Sequence, residues 1–176
     1  VSPRLMKESI KLARKFGVGS HTHFAESIDD HLYMLEKYGK TTVQVAEDWG
    51  WIGPDVWYAH AVQLDDNDID IMARSGTGVA HCPSSNMYLA SGACKVKNLL
   101  EKGVNVSLAV DGSASNNSSN MLDEARTALL LQRVSFGADA LSATQVLEMA
   151  TLGGARVLRR DDIGVIAPGK AADIIG

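Results

Sequence analysis

The chain has 176 residues, of which 45% are hydrophobic and 22% are charged, and its formal net charge is −4. This is the composition of a globular protein with a sizeable core. It has no basic cluster, so nothing favours binding to nucleic acid or to an anionic membrane. The apolar runs are far shorter than a membrane span, no signal peptide is visible, and the two cysteines match no zinc-finger or redox spacing. We therefore expect a cytoplasmic protein.

Strand-like and helix-like segments alternate along the chain. Strands are predicted over residues 21–24, 56–62, 78–82 and 105–110, and helices over residues 4–16, 27–39, 42–49, 65–75, 95–102, 121–136 and 142–158. In the first helix the expected buried stripe contains Leu5, Leu12 and Phe16, flanked by Met6, Ile10 and Ala13. In the second helix Ser27 is the expected N-cap, and the expected buried stripe contains Leu32, Leu35 and Tyr38.

This alternation predicts an α/β fold with a parallel sheet and crossover helices. Four such units correspond to half of a (β/α)8 barrel, which should not be stable alone because its strand edges are exposed. The chain begins with Val1 rather than Met, and its last residues, 171–176, resemble a strand that has only begun. We therefore expect a piece of a longer protein.

Polar side chains stand at the C-terminal ends of the predicted strands, which is the end that carries the active site in a β/α barrel. They are His23, His60, His81 and Asp111. Glu26 follows His23 by three residues, where it could turn towards the same point. Imidazole and carboxylate ligands, with a carboxylate able to move a proton, are what metal-assisted hydrolysis requires. His21 lies on the same strand face as His23 and remains an open candidate.

Several of these residues have structural alternatives. Any one of the histidines could equally be held by a backbone group. Asp111 could cap the following helix, although that helix is predicted to begin only near Asn120. The segment 113–120 could be a flexible linker or a substrate-facing loop. The remaining expectations are surface positions for His31, Asp123, Glu124 and Arg126, and a buried thiol for Cys82.

Taken in order, the polar motifs resemble the cytosine deaminase and chlorohydrolase branch of the amidohydrolase superfamily. The motifs are His23-Phe-Ala-Glu26, Ala59-His60-Ala-Val-Gln-Leu64, His81-Cys-Pro-Ser-Ser-Asn86 and Asp111-Gly-Ser-Ala-Ser-Asn116. The segment 164–173 resembles the return of that branch from its barrel into a small β-sandwich domain. Within the branch the resemblance is strongest to deaminases of 8-oxoguanine, through residues 111–117, 129–133 and 161–164.

The resemblance implies the C-terminal half of a TIM-type barrel over residues 1–160 and the start of a truncated β-sandwich over 161–176. It implies zinc as the cofactor, with iron as an alternative. The implied roles are metal ligand for His23, proton shuttle for Glu26, a hydrogen bond to the attacking water or to the oxyanion for His60, and both metal ligand and proton acceptor for Asp111. The implied substrate-binding residues, on loops 83–92 and 113–120, are Asn86, Ser113 and Asn116.

The sequence departs widely from the family. The first His-X-His metal pair has no counterpart in these residues, and neither do the early barrel strands, a substrate-binding loop from the first half of the barrel and most of the β-sandwich. His21-Thr-His23 is not that pair, since Glu26 follows it as at the fifth barrel strand. The chain alone is therefore expected to be inactive.

Two classes of function remain. The first is zinc-dependent deamination of a purine-like heterocycle, most closely 8-oxoguanine to urate and ammonia, with guanine, nucleoside or triazine substrates as alternatives. The second is a non-catalytic half-barrel remnant or partner-binding subunit. For the full-length enzyme we expect a homo-oligomer that binds a small heterocycle and neither nucleic acid nor membrane.

Overall fold

The computed structural model describes residues 2–175, and its centre is a sheet of four parallel strands in chain order. The strands are β1 (Ser20–Phe24), β2 (Val56–His60), β3 (Gly78–His81) and β4 (Val106–Leu108). Each strand pairs with the next, so the connections cross over through helices. The predicted α/β class and parallel sheet are confirmed.

Nine α-helical segments surround or connect these strands within residues 2–175. They are α1 (Pro3–Lys15), α2 (Ile28–Tyr38), α3 (Thr42–Trp49), α4 (Asp66–Ser75), α5 (Pro83–Tyr88), α6 (Val96–Glu101), α7 (Met121–Phe136), α8 (Ala143–Glu148) and α9 (Gly154–Val157). A π-helical segment, Met149–Gly153, joins α8 to α9. In the described part of the chain, none of the helices combines the length and the apolar character needed to span a membrane.

Local capping signals set most helix boundaries. Ser27, Thr41, Asp65 and Ser142 each form a capping box with the residue three positions later. Left-handed glycines then end α2, α3 and α4. These signals are readable from sequence, which is why the predicted bounds of α3 and α7 agree with the structure.

The predicted buried stripes of the first two helices are confirmed for Met6, Ile10 and Tyr38 and are wrong for the leucines of both helices and for Phe16. In α1, Met6 and Ile10 face the core, while Leu5, Leu12 and Phe16 are exposed. Helix α1 carries apolar side chains on two faces. The face with Met6 and Ile10 is buried because the helix packs against Trp51, whose Nε1 donates a hydrogen bond to Met6 O. In α2, no side chain is fully buried, and the residues that pack against the core are Met34 and Tyr38 rather than Leu32 and Leu35.

Three other segments differ from expectation. Residues 83–88 form a helix instead of a loop, because Pro83 occupies the first helical turn, where it needs no backbone donor. The predicted helix over 142–158 contains the π-helical segment, where Gly153 lies directly against strand β4. Residues 161–175 contain no strand, and the second-domain assignment of 161–176 stays a prediction, with Gly176 outside the described residues.

The register of the sheet positions the site. Phe24 lies opposite His60, and His81 lies opposite Leu108, so the strands end at nearly the same level. The face of the sheet towards the helices is filled by buried side chains such as Tyr58, Val79 and Val106. The polar residues that follow the strands are therefore brought to one edge.

Candidate active site

Four of the predicted functional side chains converge at the C-terminal end of the sheet. His23 Nε2 lies 3.2 Å from Asp111 Oδ1. His60 Nε2 lies 3.6 Å from Glu26 Oε2 and 3.8 Å from Asp111 Oδ2. Ligating atoms of His23, His60 and Asp111 lie within 4.8 Å of one another, which makes this group a candidate metal site.

Backbone strain is concentrated at the same place. Ala25, His60, Ala61 and Asp111 have φ angles of 50°, 73°, 48° and 63°, a region that non-glycine residues rarely occupy. Each such residue costs about 1–3 kcal/mol and persists only where its surroundings impose the conformation. These residues follow β1, β2 and β4, so the strain accompanies the turns by which the chain leaves the strands. Clustered strain of this kind is typical of a functional site.

The His60 side chain is completely buried and held from one side. Its Nδ1 lies 2.8 Å from Asn86 Oδ1. An amide oxygen can only accept, so Nδ1 carries a proton, and in the neutral ring Nε2 presents a lone pair. Among residues 2–175 this Nε2 has no hydrogen-bond partner, and it faces the carboxylates of Glu26 and Asp111. A buried lone pair beside two carboxylates calls for a cation or a hydrogen-bond donor between them.

Asp111 is held as a carboxylate by its neighbours. Ser85 Oγ donates to its Oδ2 at 2.6 Å, and Ser115 Oγ donates to the same oxygen at 3.1 Å. Burial raises the pKa of Asp111, but the hydrogen bonds from Ser85, Gly112 N–H and His23 outweigh it, so the pKa falls to about 2. The group is therefore ionised at neutral pH, as a metal ligand or a proton acceptor must be. The alternative as a helix cap is excluded, because the cap of α7 is Asn120.

Two other histidines stay outside the group of ligating atoms. His21 stacks on Trp57, with ring centroids 5.2 Å apart, and its Nδ1 lies 3.2 Å from Trp57 O. His21 thus fits the structural alternative, a histidine held by the backbone. His81 is buried, and desolvation followed by repulsion from His60 lowers its pKa to about 3, so it is neutral.

The structure places the three predicted substrate-binding residues differently from one another. Asn86 is buried and contacts His60. Asn116 is only 5% exposed, and its amide donates to Val110 O and to Glu124 Oε1. Ser113 is exposed, and within residues 2–175 its side chain makes no hydrogen bond. Asn86 and Asn116 therefore brace the site, and the contact of these three residues with substrate stays a prediction.

Sequence reasoning missed Ser85 and misplaced Glu124. Nothing in Pro83-Ser-Ser-Asn86 distinguishes the serine that reaches Asp111 from its neighbour. Glu124 was expected at the surface but is fully buried. Glu124, Ala128 and Gln132 follow one another at four-residue spacing and are all 0% exposed, but two of the three are polar, so the sequence alone does not mark this face as buried. The buried thiol predicted for Cys82 is confirmed, and burial raises its pKa to about 12.

Comparison with known proteins identifies the family. The model of the amidohydrolase family matches residues 1–175. An 8-oxoguanine deaminase of Pseudomonas aeruginosa is 45% identical over 174 residues, which are 99% of this chain and 39% of the relative. A 5'-deoxyadenosine deaminase of Methanosarcina barkeri is 47% identical over 164 residues, covering 93% of this chain and 38% of that protein.

Solved structures agree with this result. The crystal structure of an adenosine deaminase from Xanthomonas campestris with bound zinc superposes with a TM-score of 0.94 at 36% identity, covering 98% of this chain and 40% of that one. Atrazine chlorohydrolase from Arthrobacter aurescens, complexed with zinc, gives a TM-score of 0.91 at 34% identity, covering 97% and 38%. The chain thus spans about two fifths of the length of these relatives. It belongs to the amidohydrolase family.

Proposed function

We propose that this chain carries part of the active site of a metal-dependent hydrolase that removes an exocyclic amine from a purine-like heterocycle, with 8-oxoguanine as the substrate. The observation that carries the proposal is the convergence of His23, Glu26, His60 and Asp111 at one edge of the sheet. The 45% identity to an 8-oxoguanine deaminase supports the substrate. The reaction consumes one water and releases urate and ammonia.

The donor set fits zinc. Imidazole nitrogen and carboxylate oxygen are ordinary zinc ligands, and His23 Nε2 and Asp111 Oδ1 are 3.2 Å apart, close enough to bind one ion together. Within residues 2–175 the Nε2 of His60 has no hydrogen-bond partner, so the space in front of it favours a cation or a hydrogen-bond donor. Relatives with this fold were crystallised with zinc. When bound, zinc would act as a Lewis acid that lowers the pKa of a coordinated water towards neutrality.

The protein side chains have separate tasks in this proposal. Asp111, ionised at neutral pH, accepts the first proton from the attacking water at a carboxylate oxygen. Glu26 carries a proton to the ring nitrogen of the substrate. The Nε2 of His60 accepts a hydrogen bond from the water and so fixes its direction of attack. Asn86 keeps this histidine in the required tautomer through Nδ1.

The same geometry suits related substrates, and one observation favours a second candidate. Identity to 5'-deoxyadenosine deaminases reaches 46–48%, as high as that to the 8-oxoguanine enzyme. Adenine-type nucleosides lose their amine by the same chemistry, since one fold and one site serve many leaving groups. The pocket that would separate these substrates includes loops 83–92 and 113–120.

The test is ammonia release by the complete natural protein loaded with zinc. The substrates are 8-oxoguanine, guanine and 5'-deoxyadenosine, assayed side by side. We expect the highest kcat/KM with 8-oxoguanine, and a loss of about 10²–10⁴-fold in kcat for Glu26→Gln, the usual value of a lost general acid or base. Glu36→Gln, which makes the same change on the exposed face of α2, should leave kcat unchanged.

Two results would contradict the proposal. Full activity of Glu26→Gln would show that Glu26 does not carry the proton. A wild-type protein that releases no ammonia from any of these substrates, although folded and zinc-loaded, would favour the alternative of a non-catalytic subunit. A preference for 5'-deoxyadenosine would retain the reaction and replace the substrate.

A further inference from the structure

The Glu124 carboxylate is completely buried beside the candidate active site. It lies in the first turn of α7 and has no exposed surface. Among residues 2–175, no lysine, arginine or histidine forms an ion pair with it. Burying an ionisable group has a cost that a leucine at the same position would avoid. Its contribution must therefore come from polar interactions, which are its hydrogen bonds and the positive end of the α7 dipole, rather than from packing.

Both oxygens of Glu124 accept hydrogen bonds, and the two donors belong to different segments. Oε1 accepts from Asn116 Nδ2 at 2.7 Å. Oε2 accepts from the backbone N–H of Ser84 at 3.2 Å. The first donor lies on the loop after β4, and the second lies in the first turn of α5. Glu124, which belongs to α7, thus links α5 to the loop between β4 and α7 (residues 109–120, the β4 loop).

These contacts close a ring that contains Asp111. Asn116 Nδ2 also donates to Val110 O at 2.8 Å, which fixes the residue directly before Asp111. On the other side, Ser85 follows Ser84 and donates from Oγ to Asp111 Oδ2 at 2.6 Å. The ring therefore holds Asp111 through its backbone and through its carboxylate.

Asp111 needs such support from outside the sheet. Strand β4 ends at Leu108, and the last sheet-like backbone bond after it is from Ala109 N–H to His81 O. Asp111 itself has a φ of 63°, which lies in the left-handed region that aspartate adopts only occasionally. Capping of α7 does not explain Glu124, because Asn120 performs that task.

We infer that Glu124 is a positioning residue of the active site: through Asn116 and Ser84 it holds the β4 loop against α5 and so sets the direction of the Asp111 carboxylate. The effect on metal binding rests on the proposed function. The effect on the loop does not, because it follows from the hydrogen bonds alone.

The test compares Glu124→Gln with Asp123→Asn in the complete natural protein. Both variants replace a carboxylate by an amide on neighbouring residues of α7, but Asp123 is exposed. The amide NH2 introduced at position 124 must face one of two N–H donors, so one bond of the ring is lost. Two readouts are used: amide hydrogen exchange of residues 110–120, and zinc affinity from competition with a chelator.

We expect Glu124→Gln to speed exchange in residues 110–120 by about 10-fold and to weaken zinc binding by about 10–100-fold, the usual effect of losing a group that orients a ligand. Asp123→Asn should match the wild type in both. Unchanged exchange and unchanged affinity in a folded Glu124→Gln protein would overturn the inference, as would equal changes in both variants.

Asn116→Ala provides a second variant that breaks the ring without altering α7. It should reproduce the faster exchange, and the double variant should add little to either single change, because the two residues act through one contact. Additive effects would overturn the inference. If the wild type binds no zinc, the proposed function fails, while the exchange measurement still decides the role of Glu124.

Discussion

A matched pair of glycine substitutions tests how closely the π-helical segment packs on β4. Gly153 and Gly154 are neighbours with the same helical backbone, at φ −58° for both. A Cβ added at Gly153 would lie 2.3 Å from Val106 O, whereas one added at Gly154 meets nothing within 4 Å. The two substitutions therefore differ mainly in one contact.

The magnitude follows from two opposing effects. Alanine is favoured over glycine inside a helix by about 1 kcal/mol, which applies equally at both positions. At Gly153 the Cβ would have to move about 1 Å to reach an ordinary C···O distance. The obstacle is a backbone carbonyl that cannot rotate away, so the cost should be at the upper end of overpacking, about 3 kcal/mol. We expect Gly153→Ala to be about 2 kcal/mol less stable than the wild type, and Gly154→Ala to be about 1 kcal/mol more stable.

The assay is urea unfolding of the wild type and both variants in the complete natural protein, followed by far-UV circular dichroism. The free energies of unfolding of the two variants should differ by about 3 kcal/mol, with the wild type between them. Equal effects at the two positions would refute the packing argument. A stabilised Gly153→Ala would show that the helix can withdraw from β4 at little cost.

Three further substitutions address charge and positioning. Burial raises the pKa of Asp68 above its ordinary 3.8, so the stabilisation that its protonated form gives is complete below pH 3.8 and is lost as pH rises through the folded-state pKa. The free energy of unfolding of the wild type minus that of Asp68→Asn should therefore fall as pH rises above 3.8 in urea titrations, and a constant difference would contradict this. Asn86→Ala removes the acceptor from His60 Nδ1, so kcat should fall by about 10–100-fold with KM little changed, as expected for a group that orients another; a change in KM alone would instead indicate a substrate contact. Ser85→Ala removes the 2.6 Å hydrogen bond to Asp111 and should weaken zinc binding by about 10-fold in chelator competition, while unaltered affinity would show that this bond does not orient the carboxylate.

The sequence predicted well wherever the signal was local. Capping residues marked most helix boundaries, and apolar runs located the four strands, although β2 ends at His60 rather than at residue 62 and β4 covers Val106–Leu108 rather than 105–110. Because parallel strands end at one edge of the sheet, His23, His60 and Asp111 were expected together, and the structure brings them within 4.8 Å. Their roles as ligand and proton carriers stay predictions.

What the sequence did not reveal depends on contacts between distant segments. The neighbouring segments determine which face of α1 is exposed and whether Glu124 is buried, since each helix has more than one face that could pack against the core. The link from Ser85 to Asp111 joins residues 26 positions apart and has no counterpart in spacing or composition. Likewise, the positive φ of His60 and Asp111 is imposed by the surroundings, because neither residue favours it alone.

The central claim is best tested by measuring ammonia and urate formed from 8-oxoguanine by the zinc-loaded complete protein, in the wild type and in Asp111→Asn. Asparagine has nearly the same shape and tolerates the left-handed backbone of this position, so the variant keeps the backbone while removing the charge and one of the two carboxylate acceptors. The account predicts equal amounts of the two products from the wild type and a loss of about 10²-fold or more in the variant. Undiminished ammonia release from Asp111→Asn, or none from the wild type, would contradict it.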